Sequence, residues 1–165
     1  MNTRDITATL DTLFRELVDG ASERGAYVLN GGDPGLLGSL DRLTASDASA
    51  SSAGGATVAA HVDHVRYGLS LMNRWRDGEN PFADADWSAS WRIGRVSDDD
   101  WRDLRTALRG EAHRWRETLG KPRDVDAIAL NGMVGSIAHV AYHLGAIRQI
   151  SAATRGPKEG EQGSA

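Results

Sequence analysis

Apolar residues recur at steps of three and four positions along four long segments of the chain. These segments cover residues 2–20, 57–77, 97–120 and 128–154. Such spacing places apolar side chains on one face of an α-helix, and no segment shows the strict alternation of a half-buried strand. The pattern predicts an all-α protein built as a four-helix bundle, with a short extra helix over residues 36–43.

The connections between these helices differ in composition. Residues 44–56 contain only Ala, Ser, Gly, Thr and one Asp, which bury little area, so we expect an exposed and mobile segment. Residues 78–97 include Trp87 and Trp91 without a clean period, which predicts an irregular aromatic loop long enough to have a function. Residues 156–165 have no large apolar side chain and are expected to form a disordered C-terminal tail, which leaves residues 1–155 as a single helical domain.

The last predicted helix carries two stripes of residues at helical spacing. The first is an apolar core stripe formed by Leu130, Val134, Ile137, Ala141 and Leu144. The second lies on nearly the opposite side and lacks the Lys, Glu and Gln residues of a solvent-exposed face. It is formed by Gly132, Gly135, His139, His143, Ala146 and Ile150. We therefore expect this helix to be covered on both sides, with the small residues clearing a pocket around two imidazoles.

The histidines are the candidate metal ligands. His139 and His143 are one helical turn apart, so their rings project from one face and can bind a single ion. The Glu of the zinc-protease motif H-E-x-x-H is missing between them, which disfavours that class. A second pair, His61 and His64, lies on the helix predicted over residues 57–77. Either member would complete a three-histidine site with open positions, typical of a catalytic metal, and spacing does not choose between them.

Composition narrows the chemistry further. The 165 residues include 5 histidines and no cysteine, which excludes disulfides, thiolate metal sites and cysteine nucleophiles. A formal net charge of −4 argues against generic nucleic-acid binding, and no apolar run is long enough for a membrane span. The first residues carry charge and no apolar signal segment, so we expect a cytoplasmic protein that acts on a small-molecule substrate.

Two stretches carry a resemblance to a known family. Residues 57–64 (TVAAHVDH) and 136–147 (SIAHVAYHLGAI) are similar to motifs of the DinB/YfiT-like superfamily. The resemblance implies a four-helix bundle that holds a divalent metal, Zn²⁺ or Ni²⁺, through one histidine of the second long helix and two of the last. In the family pattern a hydrophobic residue, here Val58, stands six positions before the first ligand, which becomes His64. His139 and His143 match the closing pair.

The resemblance also implies a class of reaction. Some relatives in that superfamily are thiol transferases or isomerases that use bacillithiol or mycothiol, which suggests a metal-dependent thiol S-transferase acting on small electrophiles. Because the chain has no cysteine, the sulfur must then come from a low-molecular-weight thiol. Two other classes stay open: a hydrolase that uses metal-bound water, and a non-catalytic stress or interaction bundle. A homodimer is compatible with such a bundle, although no sequence feature establishes it.

Four other positions complete the sequence-based expectations. Arg148, on the last helix, is a candidate to bind an anionic substrate or the thiol cofactor, and an interaction with the helix end is an equal alternative. Asp63 is expected to face solvent, because adjacent helix positions point apart. Trp75, with the two tryptophans of the aromatic loop, is a candidate for the pocket mouth, although core packing is the more common role of such side chains. His113 is expected to be exposed.

Overall fold

The computed structural model describes residues 3–23 and 26–158, and the regular secondary structure of those residues is helical, with an isolated bridge between Ser51 and Thr57. The α-helices of the described residues are α1 (Thr3–Asp19), α2 (Gly35–Leu40), α3 (Ala45–Ala48), α4 (Val58–Arg76), α5 (Asp98–Gly120) and α6 (Ala127–Ile150). Two 3-10 turns cover Ala89–Arg92 and Ala152–Thr154. The prediction of an all-α protein with a short extra helix after the first long one is confirmed. None of the helices described has the length and apolar character needed to cross a membrane.

Two of the long helices begin at side chains that cap their first turn. Thr57 Oγ1 accepts a 3.1 Å hydrogen bond from the Ala60 backbone at the start of α4. At the start of α5, Ser97 and Asp100 form a reciprocal capping box, and the acidic first turn faces the positive end of the helix dipole. Gly78, with a φ of 93°, follows the end of α4 in the left-handed conformation that glycine favours.

The four long helices enclose one apolar core. Helix α4 packs against α5 and α6, and α1 packs against the same two helices. Trp115 of α5 is buried in this core, and its indole Nε1 donates a 2.7 Å hydrogen bond to Ser136 Oγ of α6. Fully burying a Leu, Phe or Met side chain contributes roughly 1.5–3 kcal/mol. The other fully buried large side chains are Phe14, Leu17, Leu36, Leu40, Leu69, Leu71, Leu108, Leu119, Met133, Leu144 and Ile147.

The buried face of α6 is shifted from the predicted core stripe. Ile137 and Leu144 are buried as predicted, but Val134 is 51% exposed. Met133 and Val140 fill the core instead. The physical reason is that α6 is apolar around most of its circumference, so a spacing of three and four residues fits more than one rotation of the helix.

The expectation that α6 is covered on both sides is wrong. Ile128 is 73% exposed and Tyr142 is 70% exposed, and Ala138 between them is also exposed. The absence of Lys and Glu from a face does not predict that the face is covered, because exposed apolar side chains are common on protein surfaces. Ile137 and Leu144 are buried in the core and the stripe of His139 and His143 turns toward α4, but part of the circumference of α6 is open to solvent.

The first part of residues 44–56 is ordered into structure, contrary to the expectation of an exposed segment. Thr44 and Asp47 form a capping box around the single turn of α3, and Ala45 and Ala48 are buried. Ser49 Oγ then accepts a 3.0 Å hydrogen bond from the Val96 backbone. Small side chains bury little area each, but they allow this turn to approach the core closely. Residues 51–55, in contrast, are exposed as expected.

The chain ends are described only in part. Asn2, where the first helix is predicted to begin, lies outside the described residues. Residues 159–165 of the predicted tail also lie outside them. Within the described part of that tail, the Pro157 carbonyl accepts a 2.8 Å hydrogen bond from Asn30 Nδ2. The last helix ends at Ile150, four residues earlier than predicted, and the 3-10 turn Ala152–Thr154 follows it.

Candidate metal centre

Three of the predicted ligands meet between α4 and α6. His64 lies on α4, and His139 and His143 lie one turn apart on α6. Each ring offers one nitrogen, and these nitrogens all lie within 4.8 Å of one another. His143 Nε2 and His139 Nε2 are 3.0 Å apart. The prediction that these three histidines form a group able to hold a metal ion is confirmed.

The polar atoms of this group fit a transition metal. His64 Nδ1 is buried and has no hydrogen-bond partner among the described residues. Leaving a buried polar atom without a partner costs about 1–3 kcal/mol, so this nitrogen is positioned at an energetic cost. Three imidazole nitrogens suit Zn²⁺, Ni²⁺, Cu²⁺ or Fe²⁺, whereas Mg²⁺ and Ca²⁺ prefer oxygen ligands.

The electrostatics of the cluster keep the imidazoles neutral. Burial lowers the pKa of His143 to about 3, and the neighbouring His139, His61 and His64 add to the effect. Burial also lowers the pKa of His139 and of His64 below the ordinary value of 6.5. Near pH 7 these rings are therefore uncharged, which is the state in which imidazole binds a metal.

A fourth histidine, His61, contacts the group of three through His143. His61 Nδ1 lies 2.9 Å from His143 Nδ1, so His143 has one ring nitrogen toward His139 and the other toward His61. Burial lowers the pKa of His61, and the nearby His64 adds to the shift. Histidines that bind metals commonly hydrogen-bond through their second nitrogen, which fixes the tautomer and the ring orientation. The close group of three contains His64, and His61 lies where it can orient His143.

The aromatic loop covers the histidines. Trp91 stacks on His64 with ring centroids 4.4 Å apart and an interplanar angle of 27°, and it also contacts the edge of the His61 ring. Trp87 lies 5.7 Å from His64, centroid to centroid. Trp75 instead packs beside Gly132, where an added Cβ would lie 2.9 Å from its ring. Of the three tryptophans considered, those of the loop are placed at the site.

Asp63 holds this loop in place and does not simply face solvent as expected. Its carboxylate accepts a 2.6 Å hydrogen bond from Ser90 Oγ, in the 3-10 turn of the loop, and pairs with Arg66 at 2.8 Å. Thr57 Oγ1 donates to the Ile93 carbonyl at 2.9 Å, which anchors the end of the same turn. Asp63 points away from the His64 ring, as helix geometry requires for adjacent residues. The aromatic loop nevertheless contacts Asp63 through Ser90. A serine in a loop of no clear period gives no sequence signal for this pairing.

A cavity of about 510 Å³ lies beside the histidines. Its walls come from α4, α6 and the aromatic loop, and they are His64, Gly68, Leu69, Met72, Trp87, Gly132, Gly135, Ser136 and His139. Gly68 lies so close to His139 that an added Cβ would come within 3.2 Å of its ring. The sequence predicts the glycines of α6 as pocket-forming residues. The structure adds Gly68 of α4 to the lining, a residue that the pattern of α6 alone does not indicate.

Two other predicted positions lie in separate contacts. The Arg148 guanidinium donates to Asp33 Oδ1 at 2.7 Å and to the Thr154 carbonyl at 3.2 Å, and Arg148 is not among the described residues that line the cavity. Its role in cofactor binding stays a prediction. His113 is exposed, and its Nε2 lies 3.4 Å from Asp19 Oδ1.

Comparison with known proteins yields no relative from which a function could be transferred. No family model, curated protein or solved structure matches the chain. The geometry and chemistry of the histidine cluster therefore carry the functional argument.

Proposed function

We propose that this protein is a metal-dependent thiol S-transferase of the DinB/YfiT type, a four-helix bundle that binds one Zn²⁺ or Ni²⁺ through His64, His139 and His143. The observation that carries the proposal is the convergence of three ring nitrogens within 4.8 Å of one another. One ligand from α4 and two from α6 agree with the arrangement that the resemblance implies. The unpartnered His64 Nδ1 adds support, because a metal ligand is the role that justifies its burial.

The proposed chemistry divides between the metal and the chain. When bound, a divalent transition metal lowers the pKa of a water or thiol in its open positions and supplies a nucleophile near neutral pH. His61 Nδ1 and His143 Nδ1 share one proton in their 2.9 Å contact, which holds the His143 ring in one orientation. Trp91 lies against the His64 ring and keeps water from that face.

The lining of the cavity favours a thiol over water as the nucleophile. No Asp or Glu is among the described residues that line it, so the site offers no carboxylate as a general base for water. A bound metal would deprotonate a thiol outright but would lower the pKa of water only to about 7, so a thiol depends less on such a base. Since the chain has no cysteine, that thiol is a separate small molecule such as bacillithiol or mycothiol.

Metal analysis of the purified protein tests the ligand assignment. We expect about one Zn²⁺ or Ni²⁺ per chain, by elemental analysis after dialysis, and loss of that metal when His64, His139 and His143 are all replaced by Gln. His113→Gln is the matched control, because His113 is exposed on α5 and is not a member of the three-histidine group. Full metal content in the triple variant would contradict the assignment, and a wild-type protein without metal would favour a non-catalytic bundle.

A thiol-conjugation assay tests the reaction class. Metal-loaded protein is mixed with a model electrophile such as 1-chloro-2,4-dinitrobenzene and with bacillithiol or mycothiol, and formation of the conjugate is followed by absorbance. We expect a rate that depends on both the thiol and the metal. Hydrolysis of ester or amide substrates without thiol, together with no conjugation, would identify a hydrolase instead.

A further inference from the structure

The cavity beside the histidines is built from uncharged groups. Leu69, Met72 and Trp87 supply apolar walls, and the glycines of α4 and α6 supply bare backbone. Among the described lining residues there is no Lys, Arg, Asp or Glu. Placing a charged ligand group against such walls costs several kcal/mol, whereas an apolar group gains from leaving water.

Two of the lining glycines, Gly68 and Gly132, let neighbouring rings pack directly against the helix backbone. An added Cβ at Gly132 would lie 2.9 Å from the Trp75 ring, and one at Gly68 would press on His139. At Gly135, in contrast, an added Cβ would meet nothing within 4 Å, and Gly135 is exposed. Trp87 is also partly exposed, at 42%. The cavity is therefore closed at Gly68 and Gly132 and opens to solvent at the edge where Gly135 and Trp87 lie.

The volume sets the size of the occupant. A cavity of about 150 Å³ is enough to bind benzene in an apolar protein interior. The 510 Å³ here falls in the range of small-molecule sites, roughly 300–1,000 Å³, and admits a fused or substituted aromatic ring. The His64 and His139 rings form part of the same wall, so an occupant lies directly beside the proposed metal ligands.

We infer that this cavity binds an uncharged, largely apolar substrate group of the size of a substituted aromatic ring, and that its own lining side chains offer an anionic group no charged partner. This assignment gives the substrate class of the proposed transferase. Only the statement that the bound group then reacts with a thiol rests on the proposed function. The binding step itself is a property of the cavity. It also separates the cavity from Arg148, whose charge is already engaged by Asp33.

A matched pair of fluorescent probes tests the preference for uncharged ligands. N-phenyl-1-naphthylamine is neutral, and 1-anilinonaphthalene-8-sulfonate has the same aromatic frame with one sulfonate. In protein freed of metal by a chelator, we expect the neutral probe to bind in a saturable manner and about tenfold or more tightly than the sulfonate, because the lining offers no partner for the charge. Absence of saturable binding of the neutral probe, or equal or tighter binding of the sulfonate, would overturn the inference.

Two glycine variants locate the binding event. Gly135→Leu places a side chain at the mouth of the cavity, and Gly145→Leu places the same side chain on the exposed face of the same helix, where an added Cβ also meets nothing within 4 Å. Both replace glycine inside a helix by a better helix former, so both should fold. We expect Gly135→Leu to weaken binding of the neutral probe by about tenfold or more and Gly145→Leu to leave it within about twofold. Equal affinities in the two variants would contradict the inference.

Metal removal separates this inference from the proposed function. The neutral probe is titrated into the metal-loaded protein and into protein treated with a chelator, and metal content is measured in both glycine variants. We expect binding of the probe to persist without metal and metal content to be unchanged in both variants. A protein that binds the probe but catalyses no metal-dependent thiol transfer would remove the proposed function and leave the cavity assignment standing. Thiol transfer and probe binding are thus measured independently, so failure of one is distinguished from failure of the other.

Discussion

Two clusters of polar side chains lie on α6, and they differ in whether their members satisfy one another. Near its C-terminal end, Arg148 pairs with Asp33 at 2.7 Å, and the same carboxylate oxygen accepts a 2.8 Å bond from the Gly35 backbone. Near its middle, the histidine cluster gathers ring nitrogens with lowered pKa values, and His64 Nδ1 has no hydrogen-bond partner among the described residues. The first cluster pairs its charges within the chain, whereas the second keeps a buried nitrogen to which no described residue donates a hydrogen bond.

The difference teaches how to separate structural from functional polar groups on one helix. An ion pair that also hydrogen-bonds to the backbone holds elements together, here the 33–35 turn against the end of α6. A buried set of neutral, closely spaced metal-binding groups costs stability unless something binds to it. The following predictions test this contrast in order of decreasing effect.

The largest expected effect is on stability, at the Arg148 pair. Arg148→Met leaves the Asp33 carboxylate, which is 3% exposed, without its cation. We expect the free energy of unfolding to fall by about 3 kcal/mol or more, as measured by urea unfolding followed by tryptophan fluorescence. Arg109→Met, which breaks an exposed pair with Asp41, is the control and should cost below about 1 kcal/mol. Unchanged stability with impaired thiol use would instead place Arg148 in cofactor binding.

The second effect is on metal affinity, at His64. His64→Leu removes the unpartnered nitrogen and keeps most of the side-chain volume. We expect metal affinity to fall by about 100-fold or more, measured by competition with a chromogenic chelator, because loss of a ligand exceeds the effect of losing a supporting group. The metal-free variant should unfold within about 1 kcal/mol of wild type. Retained metal affinity would contradict the role of His64 and direct attention to His61.

The third effect is smaller and tests His61 as a positioning residue. His61→Phe removes the 2.9 Å contact with His143 Nδ1, whereas His61→Asn keeps a polar atom near the position of Nδ1. We expect metal affinity to fall by about tenfold in the Phe variant and to recover in the Asn variant. Equal loss in both variants would show that His61 binds the metal itself or acts only through packing.

The smallest effect, taken per pH unit, is the pH dependence of the metal-free protein. The pKa of His143 is lowered from 6.5 to about 3, so between these values the unfolded chain binds a proton that the folded protein does not. The stability that this neutral histidine permits above pH 6.5 is therefore lost as the pH falls toward 3. We expect urea unfolding with chelator present to show a steeper loss for wild type than for His143→Gln, by up to about 1.4 kcal/mol per pH unit. Parallel pH profiles would contradict the burial of a neutral His143.

The local signals in the sequence were sufficient for the helices and for two of the ligands. Capping at Thr57 and Ser97 is decided within one turn, so it can be recognised from neighbouring residues. The i, i+4 spacing of His139 and His143 likewise fixes a shared face. Choosing His64 over His61 needed the family resemblance, because both lie on the same helix and the choice depends on how α4 is rotated against α6.

The features that the sequence could not predict all depend on packing between distant segments. The rotation of α6 follows from which neighbours cover it, so an almost uniformly apolar helix did not reveal that Val134 is exposed. The turn of α3 is stabilised by contacts of small alanines and by the Ser49 bond to Val96. The Asp63–Ser90 bond joins α4 to a loop 27 positions away. None of these pairings leaves a periodic pattern.

The central claim is that His64, His139 and His143 bind one transition metal. Anomalous diffraction at the absorption edge of the metal found by elemental analysis, recorded on crystals of the wild-type protein, tests it most directly. We predict a single anomalous peak between α4 and α6 whose protein ligands are nitrogens of these three histidines, with His61 hydrogen-bonded to His143 and outside the coordination sphere. A peak ligated by carboxylates elsewhere, or a metal bound by His61 in place of His64, would contradict the account.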